Sequence, residues 1–137
     1  MKINISHNAN QEFIAQNQNG VKLNVGCCDK NTLFTPMELL LVGLASCSSV
    51  DIVEVFSKKR FEIEHYSVDV SASRVTSVPA IFETITVTYN IDSEVKKQDL
   101  INVLDLCISK YCSVADIISP TATIISKIKY NGEVFDI

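Results

Sequence analysis

The side chains best suited to chemistry in this 137-residue sequence are its five cysteines, Cys27, Cys28, Cys47, Cys107 and Cys112. A thiolate is a nucleophile open to oxidation and disulfide exchange, and its surroundings set its reactivity. Cys47 stands in Ala45-Ser46-Cys47-Ser48-Ser49, where small and hydroxyl residues interrupt a run rich in Leu, Val and Ile. Serine suits a buried helix poorly unless its hydroxyl is satisfied or something approaches closely. The patch therefore leaves room for a ligand at the thiol, against the plainer reading of Cys47 as a small buried hydrophobe. Cys112 stands in Lys110-Tyr111-Cys112-Ser113-Val114. Lys110 would favour a thiolate there. A helix break near Tyr111 would place Cys112 at a fresh helix N-terminus, with the same effect. Cys107, five residues earlier, is turned away by about 140° in a continuous helix, which argues against a 107–112 disulfide. Cys27 and Cys28 read as free thiols at a strand end or in a loop.

Other chemistries find little support. There is no CxxC, and His7 and His65 form no ligand spacing with a cysteine pair. No Gly-rich phosphate loop or GxSxG is present. Neither a metal nor a cofactor is expected. The net charge of −4 argues against nucleic acid, which calls for a basic patch. The run Lys58-Lys59-Arg60 reads as the basic last turn of a helix. The N-terminus, MKINISHNANQEF, lacks a signal peptide's apolar core. The apolar stretch from Leu39 meets Ser46 and then Asp51, short of the roughly 20 residues of a membrane span. An odd number of cysteines without a secretory signal argues against a disulfide framework. The expectation is a cytoplasmic protein with no membrane contact.

These residues need elements to position them. At 47% hydrophobic and 20% charged, with no linker or repeat, the chain reads as one globular domain, residues 1–137. Ile3 and Ile5 mark a first strand, Phe13 a second, and Val21, Leu23 and Val25 a third, with Asn19-Gly20 a hairpin turn between the last two. A helix starts at Thr35-Pro36-Met37-Glu38, with Thr35 as N-cap, Pro36 in the first helical position and Glu38 closing a capping box. It should run to about Lys59. Apolar residues cover nearly all its faces as far as Val55, so it should be buried all round, and a partner subunit would supply the missing cover. Two long strands follow, with Ile63, Tyr66, Val68 and Val70 on one and Ile81, Ile85, Val87, Tyr89 and Ile91 on the other, paired antiparallel. A second helical region spans about 93 to 118. Residues 121 to 130 form a strand, and Asn131-Gly132 turns into a short last one. The fold class is α+β with antiparallel sheets and two central helices.

Pro36-Met37-Glu38-Leu39-Leu40-Leu41 running to Cys47, followed about 65 residues later by Lys110-Tyr111-Cys112-Ser113-Val114, resembles the OsmC/Ohr superfamily of osmotically inducible and organic-hydroperoxide-resistance proteins. Pro79-Ala80-Ile81-Phe82 before a long strand and the basic end of the first helix also look familial. The resemblance covers essentially the whole chain. It implies an intertwined homodimer with the cysteine helices central and two sites at the interface. It further implies thiol-dependent reduction of organic hydroperoxides in oxidative-stress defence, with Cys47 as the attacking thiol and Cys112 as the resolving one. A dithiol reductant then restores both. The family's peroxidases hold the reactive thiolate with an N-terminal arginine and with a glutamate directly after the proline. Here the first arginine is Arg60, Lys22 and Lys30 are the early cations, and Met37 follows Pro36 with Glu38 next. Glu38 is the candidate for the carboxylate role, beside its capping one.

Two further readings stand beside the peroxidase. One is an OsmC-like protein that binds a lipid-like or other apolar small molecule, or senses redox state, with little turnover. The other is a structural dimer whose cysteines only pack.

Overall fold

A computed structural model of the chain describes residues 1–27 and 33–137; Cys28 and Lys30 lie outside them. The chain divides into two compact units, Met1–Val42 and Gly43–Ile137.

In the first unit β1 (Ile3–Ala9), β2 (Glu12–Asn17) and β3 (Lys22–Gly26) form an antiparallel meander in chain order. Asn19-Gly20 makes the β2–β3 turn as expected. Gly20 takes φ +85, and the side-chain oxygen of Asn17 accepts from the N–H groups of Asn19 and Val21 at 2.9 and 3.0 Å. Gly26 closes β3 where a side chain has no room, since a Cβ would fall 2.6 Å from the Gln11 carbonyl oxygen.

Helix α1 (Pro36–Lys59) has the expected limits, and both ends follow from local chemistry. Thr35 N–H donates to Glu38 Oε2 at 2.7 Å, and Glu38 N–H donates to Thr35 Oγ1 at 3.3 Å. This is the reciprocal capping box. At the other end Arg60 takes φ +59. Its N–H donates to Ser57 O at 3.1 Å, and Phe61 N–H donates to Phe56 O at 2.9 Å. That pattern is a Schellman motif, and the rings of Phe56 and Phe61 meet edge-on at 5.8 Å as its apolar contact.

In the second unit β4 (His65–Arg74), β5 (Phe82–Asp92), β6 (Thr123–Tyr130) and β7 (Glu133–Asp136) form a sheet in chain order. Between β5 and β6 come α2 (Lys97–Leu106), a π-helical turn (Cys107–Tyr111) and α3 (Ser113–Ile118). Strand β5 is central and alternates cleanly, with Ile85, Val87, Tyr89 and Ile91 buried. Beside them the core holds Ile52, Phe56, Leu100, Val103, Leu104 and Ile128.

The α+β class stands, with four differences of detail. The β5–β6 pair is parallel, not antiparallel, because the whole helical region serves as the crossover that a parallel pair requires. That region begins at Lys97 rather than near Ser93, because Ser93 is held in the preceding loop. Its Oγ donates to Glu62 O at 2.7 Å and accepts from Val95 N–H at 3.2 Å. Ile81 is exposed and Phe82 buried. The register shifts between Ser73 and Arg74, opposite Glu83, and one extra residue reverses which side chains face the core.

The fourth difference concerns α1. Only Leu44, Ser48, Ile52 and Phe56 are buried, a single stripe at four-residue spacing, while Val50 and Val53 are 65% and 47% exposed. By length and composition α1 is also apolar enough to cross a membrane, because the serines that interrupt it lower its mean hydropathy little. Its buried stripe is that of a core helix.

Candidate active site

The turn of α1 around Cys47 is the first component. Ser46 Oγ donates to Gly43 O at 3.2 Å. Ser48 Oγ lies 3.2 Å from Leu44 O and 3.1 Å from Ala45 O, and Ser49 Oγ donates to Ala45 O at 2.6 Å. The serines thus satisfy their hydroxyls on the helix's own carbonyls, which is how the helix tolerates them. Cys47 is half-buried.

Cys112 is the second component. It stands between the π-helical turn and α3 with φ −75 and ψ 90, outside helical geometry. The break expected near Tyr111 is therefore present. π-helical turns are rare and cluster at functional positions. Cys112 is only 4% exposed, and its Sγ lies 4.0 Å from the carbonyl oxygen of Leu44. Leu44 stands one turn before Cys47 on α1, so this contact brings Cys112 to the turn that bears Cys47. Burial pushes the Cys112 thiol up, and Cys47 beside it pushes the same way. The N–H groups of Ala115 and Val114 oppose the rise. These backbone donors are the helix-N-terminal influence expected at the break, and Lys110 is exposed on the π-helical turn. The result is an asymmetric pair, one thiol reachable and one sheltered and protonated at neutral pH.

Cys107 is fully buried at the start of the π-helical turn. Burial first, and the Asp51 carboxylate second, push its thiol up to about 11. Cys27 is exposed after β3, and its N–H donates to Gln11 O at 3.2 Å. The described cysteines are all free thiols.

Two tyrosines complete the surroundings. Tyr89 Oη donates to Ser48 Oγ and Tyr66 Oη donates to Ser49 Oγ, each at 2.9 Å. They stand diagonally on adjacent strands, Tyr89 paired with Val68 and Tyr66 with Ile91. Burial drives the Tyr89 phenol to about 12, so it is a neutral donor. Both were read from the sequence as core-facing residues only. The overlooked signal was that buried phenols need acceptors and the Ser-Ser pair on α1 needed an explanation.

Glu38 is fully engaged in the capping box, and the Thr35 N–H holds its exposed carboxyl below the usual carboxylate range. Lys22 is exposed on β3. Arg60 stands just past the end of α1, 13 residues beyond Cys47 and about 20 Å along the helix axis. Arg74 Nε donates to Ala80 O at 2.7 Å. Among the described residues no group of three His, Cys, Asp or Glu is placed to hold a metal ion. On the same side of α1 as Val50 and Val53 runs an open apolar groove of about 550 Å³, floored by Tyr66 and Ser49.

This arrangement can do two-electron thiol chemistry: oxidation at the reachable sulfur, then disulfide formation with the sheltered one. Comparison with known proteins bears on the family and the fold. The family described as OsmC-like protein matches residues 29–127. Protein YhfA of Escherichia coli K12 is 29% identical over 82 residues, 59% of this chain and 61% of YhfA. The matched part thus spans about three fifths of that relative's length. The fold is similar to that of the OsmC-like protein from Mycoplasma pneumoniae, with a TM-score of 0.82 and 20% identity over 94% of this chain and 95% of that one. It is also similar to that of an organic hydroperoxide resistance protein OsmC from Legionella pneumophila, with a TM-score of 0.65 and 14% identity over 93% and 96% of the two chains.

Proposed function

The chain belongs to the OsmC-like protein family, and from that premise we propose that it reduces organic hydroperoxides in oxidative-stress defence, with Cys47 as the attacking thiol and Cys112 as the resolving one. The observation that carries this reading is the buried Cys112 thiol lying 4.0 Å from the Leu44 carbonyl oxygen, on the turn of α1 that bears the half-buried Cys47. The Cys47 thiolate attacks the O–O bond and takes the terminal OH as sulfenic acid, and the alkoxide released takes up the proton that the Cys47 thiol gave up and leaves as the alcohol. Cys112 then gives its sulfur to Cys47 and its proton to the departing hydroxyl, which leaves as water. An external dithiol reduces the resulting disulfide through a mixed disulfide and becomes oxidised itself.

The single chain leaves Val50 and Val53 uncovered on α1, and a second copy is proposed to cover them, so that the working form is a homodimer. Its substrates are apolar small molecules, its reductant a dithiol and its place the cytoplasm, and the 137 residues act as one domain. Glu38 is proposed as the carboxylate of the site. The second reading, ligand binding or redox sensing with little turnover, is favoured by Arg60, the first arginine in the chain, standing past the far end of α1 from Cys47.

The test is treatment with cumene hydroperoxide, disulfide mapping by mass spectrometry, and turnover measured with dithiothreitol. A 47–112 disulfide is expected, together with hydroperoxide consumption that Cys47→Ser abolishes. Wild-type turnover no faster than the mutant's sinks the peroxidase. A co-purified apolar ligand alongside inert thiols would establish the second reading.

A further inference from the structure

We propose that Tyr89 and Tyr66 are positioning residues for the thiol pair: their hydroxyls clamp the Cys47 turn of α1 to strands β4 and β5 and so hold Cys47 and Cys112 in register for a disulfide. The proposal rests on the pairing of Cys47 with Cys112 but not on peroxidase turnover.

The hydrogen bonds form a continuous chain. Tyr89 Oη donates to Ser48 Oγ at 2.9 Å. Ser48 Oγ in turn lies 3.2 Å from Leu44 O. Leu44 O is the same atom that Cys112 Sγ approaches at 4.0 Å. A second line runs from Tyr66 Oη to Ser49 Oγ at 2.9 Å and on to Ala45 O at 2.6 Å. Ser48 and Ser49 directly follow Cys47. The sheet is therefore bonded to the turn that bears one thiol, and through one shared carbonyl to the contact made by the other.

The geometry of a disulfide gives this chain its purpose. The bond accepts a Cα separation of only about 4.4–6.8 Å with a fixed torsion. Packing of Leu44, Ile52 and Phe56 seats α1 on the sheet, driven by a hydrophobic effect that is itself non-directional. Hydrogen bonds weaken steeply with misalignment, and two of them from adjacent strands fix the azimuth of the turn. Phenylalanine at either position would bury the same ring without the cost of burying a hydroxyl. Tyr89 is 2% exposed and Ser48 1%, so the phenol hydroxyl is buried with Ser48 Oγ as its partner.

The test requires no peroxide. Reduced protein is equilibrated with glutathione and its disulfide. One glutathione disulfide takes two electrons and two protons from Cys47 and Cys112, giving two glutathiones and the protein disulfide, which is quantified by peptide mapping. Tyr89→Phe is expected to lower the equilibrium constant roughly three- to tenfold, the size of one net hydrogen bond, at a temperature well below its Tm. Adding Ser48→Ala to it should change little more, because both remove the same bond. A variant that had only lost stability would melt earlier and leave the equilibrium of the native pair unmoved. Tyr66→Phe, at a half-buried position, carries the test if Tyr89→Phe does not fold. Equal constants in the wild type and the Phe variants overturn the clamp. A wild type that forms no 47–112 disulfide overturns clamp and pair together. A wild type that forms it, with constants that fall in the variants but without hydroperoxide consumption, supports the clamp and sinks the peroxidase alone.

Discussion

Cys112 Sγ lies 4.0 Å from the carbonyl oxygen of Leu44, across 68 residues of sequence, and Leu44 stands one turn before Cys47 on α1. The proposed resolving thiol is therefore docked on the same turn that bears the attacking one. Serine is nearly the size of cysteine and cannot form a disulfide, so Cys112→Ser is expected to keep the fold and the first step of the reaction. Hydroperoxide should still oxidise Cys47 once, and the sulfenic acid should persist and be trapped by dimedone. Turnover with a dithiol should fall at least tenfold. Undiminished turnover would assign resolution to an external thiol.

Exposure predicts the order of alkylation. Cys27 is exposed, Cys47 half-buried, and Cys107 and Cys112 buried. Iodoacetamide at neutral pH is expected to label Cys27 and Cys47 and to spare Cys107 and Cys112 while the chain is folded. Peptide mapping after short exposures checks this. Early labelling at Cys107 would contradict its burial on the π-helical turn.

Cys107 also makes stability depend on pH. Its thiol is raised from the ordinary 9.0 to about 11, by burial first and by Asp51 second. Below about pH 9 the thiol is protonated in both folded and unfolded chains. Between 9 and 11 the unfolded chain has released the proton and the folded one retains it. The unfolded state then binds fewer protons, so stability falls as pH rises through that window, by at most about 1.4 kcal/mol per pH unit from this group. Cys112 is raised in the same direction. Tyr89, moved from 10.0 to about 12, extends the fall upward. Denaturant midpoints from pH 8 to 11 should decline, and Cys107→Ala should flatten the decline. A flat wild-type profile would show that the unfolded and folded thiols titrate alike.

How much of this was legible beforehand depended on how local each signal was. The capping box of Thr35 and Glu38, the Asn19-Gly20 turn and the break before Cys112 are decided within a few residues, and the structure holds all three. The parallel β5–β6 pair is not local, since nothing in either strand says which neighbour it will take. The reversal that exposes Ile81 and buries Phe82 came from one extra residue opposite a register shift, which alternation alone does not reveal. At the candidate site the two cysteines were named from their neighbours and a family resemblance. The tyrosines were missed because Tyr66 and Tyr89 read as ordinary inward strand residues until α1 placed Ser48 and Ser49 against them.

The C-terminal cap of α1 offers a stability test. Arg60 takes φ +59 at a position where glycine has no steric penalty. Arg60→Gly is expected to stabilise the protein by about 0.5–1 kcal/mol, equivalent to roughly 2–4 °C in Tm. The Phe56–Phe61 contact that accompanies the motif is unaffected by this change. A lower Tm would mean that the Arg60 side chain contributes more than its backbone strain costs.

Glu38 has the capping role the structure shows and the site role proposed for it, and one substitution separates the two. As the capping-box acid it accepts from Thr35 N–H at 2.7 Å. Glutamine retains an oxygen for that bond and is itself a capping-box residue. Glu38→Gln should therefore keep the helix start and remove only the charge. Thr35→Ala, by contrast, removes the N-cap oxygen and should cost about 1 kcal/mol. The Thr35 contact holds the Glu38 carboxyl below its ordinary 4.5, so the wild type gains from the ionised form at neutral pH. It loses that contribution as pH falls through the carboxylate range, while Glu38→Gln should show no such acid-side loss. If Glu38 also serves the thiol site, Glu38→Gln should slow oxidation of Cys47 by hydroperoxide several-fold at unchanged Tm, and Thr35→Ala should lower Tm with a smaller effect on that rate. Melting curves and single-turnover oxidation rates on both variants decide it: an unchanged rate in Glu38→Gln confines Glu38 to capping.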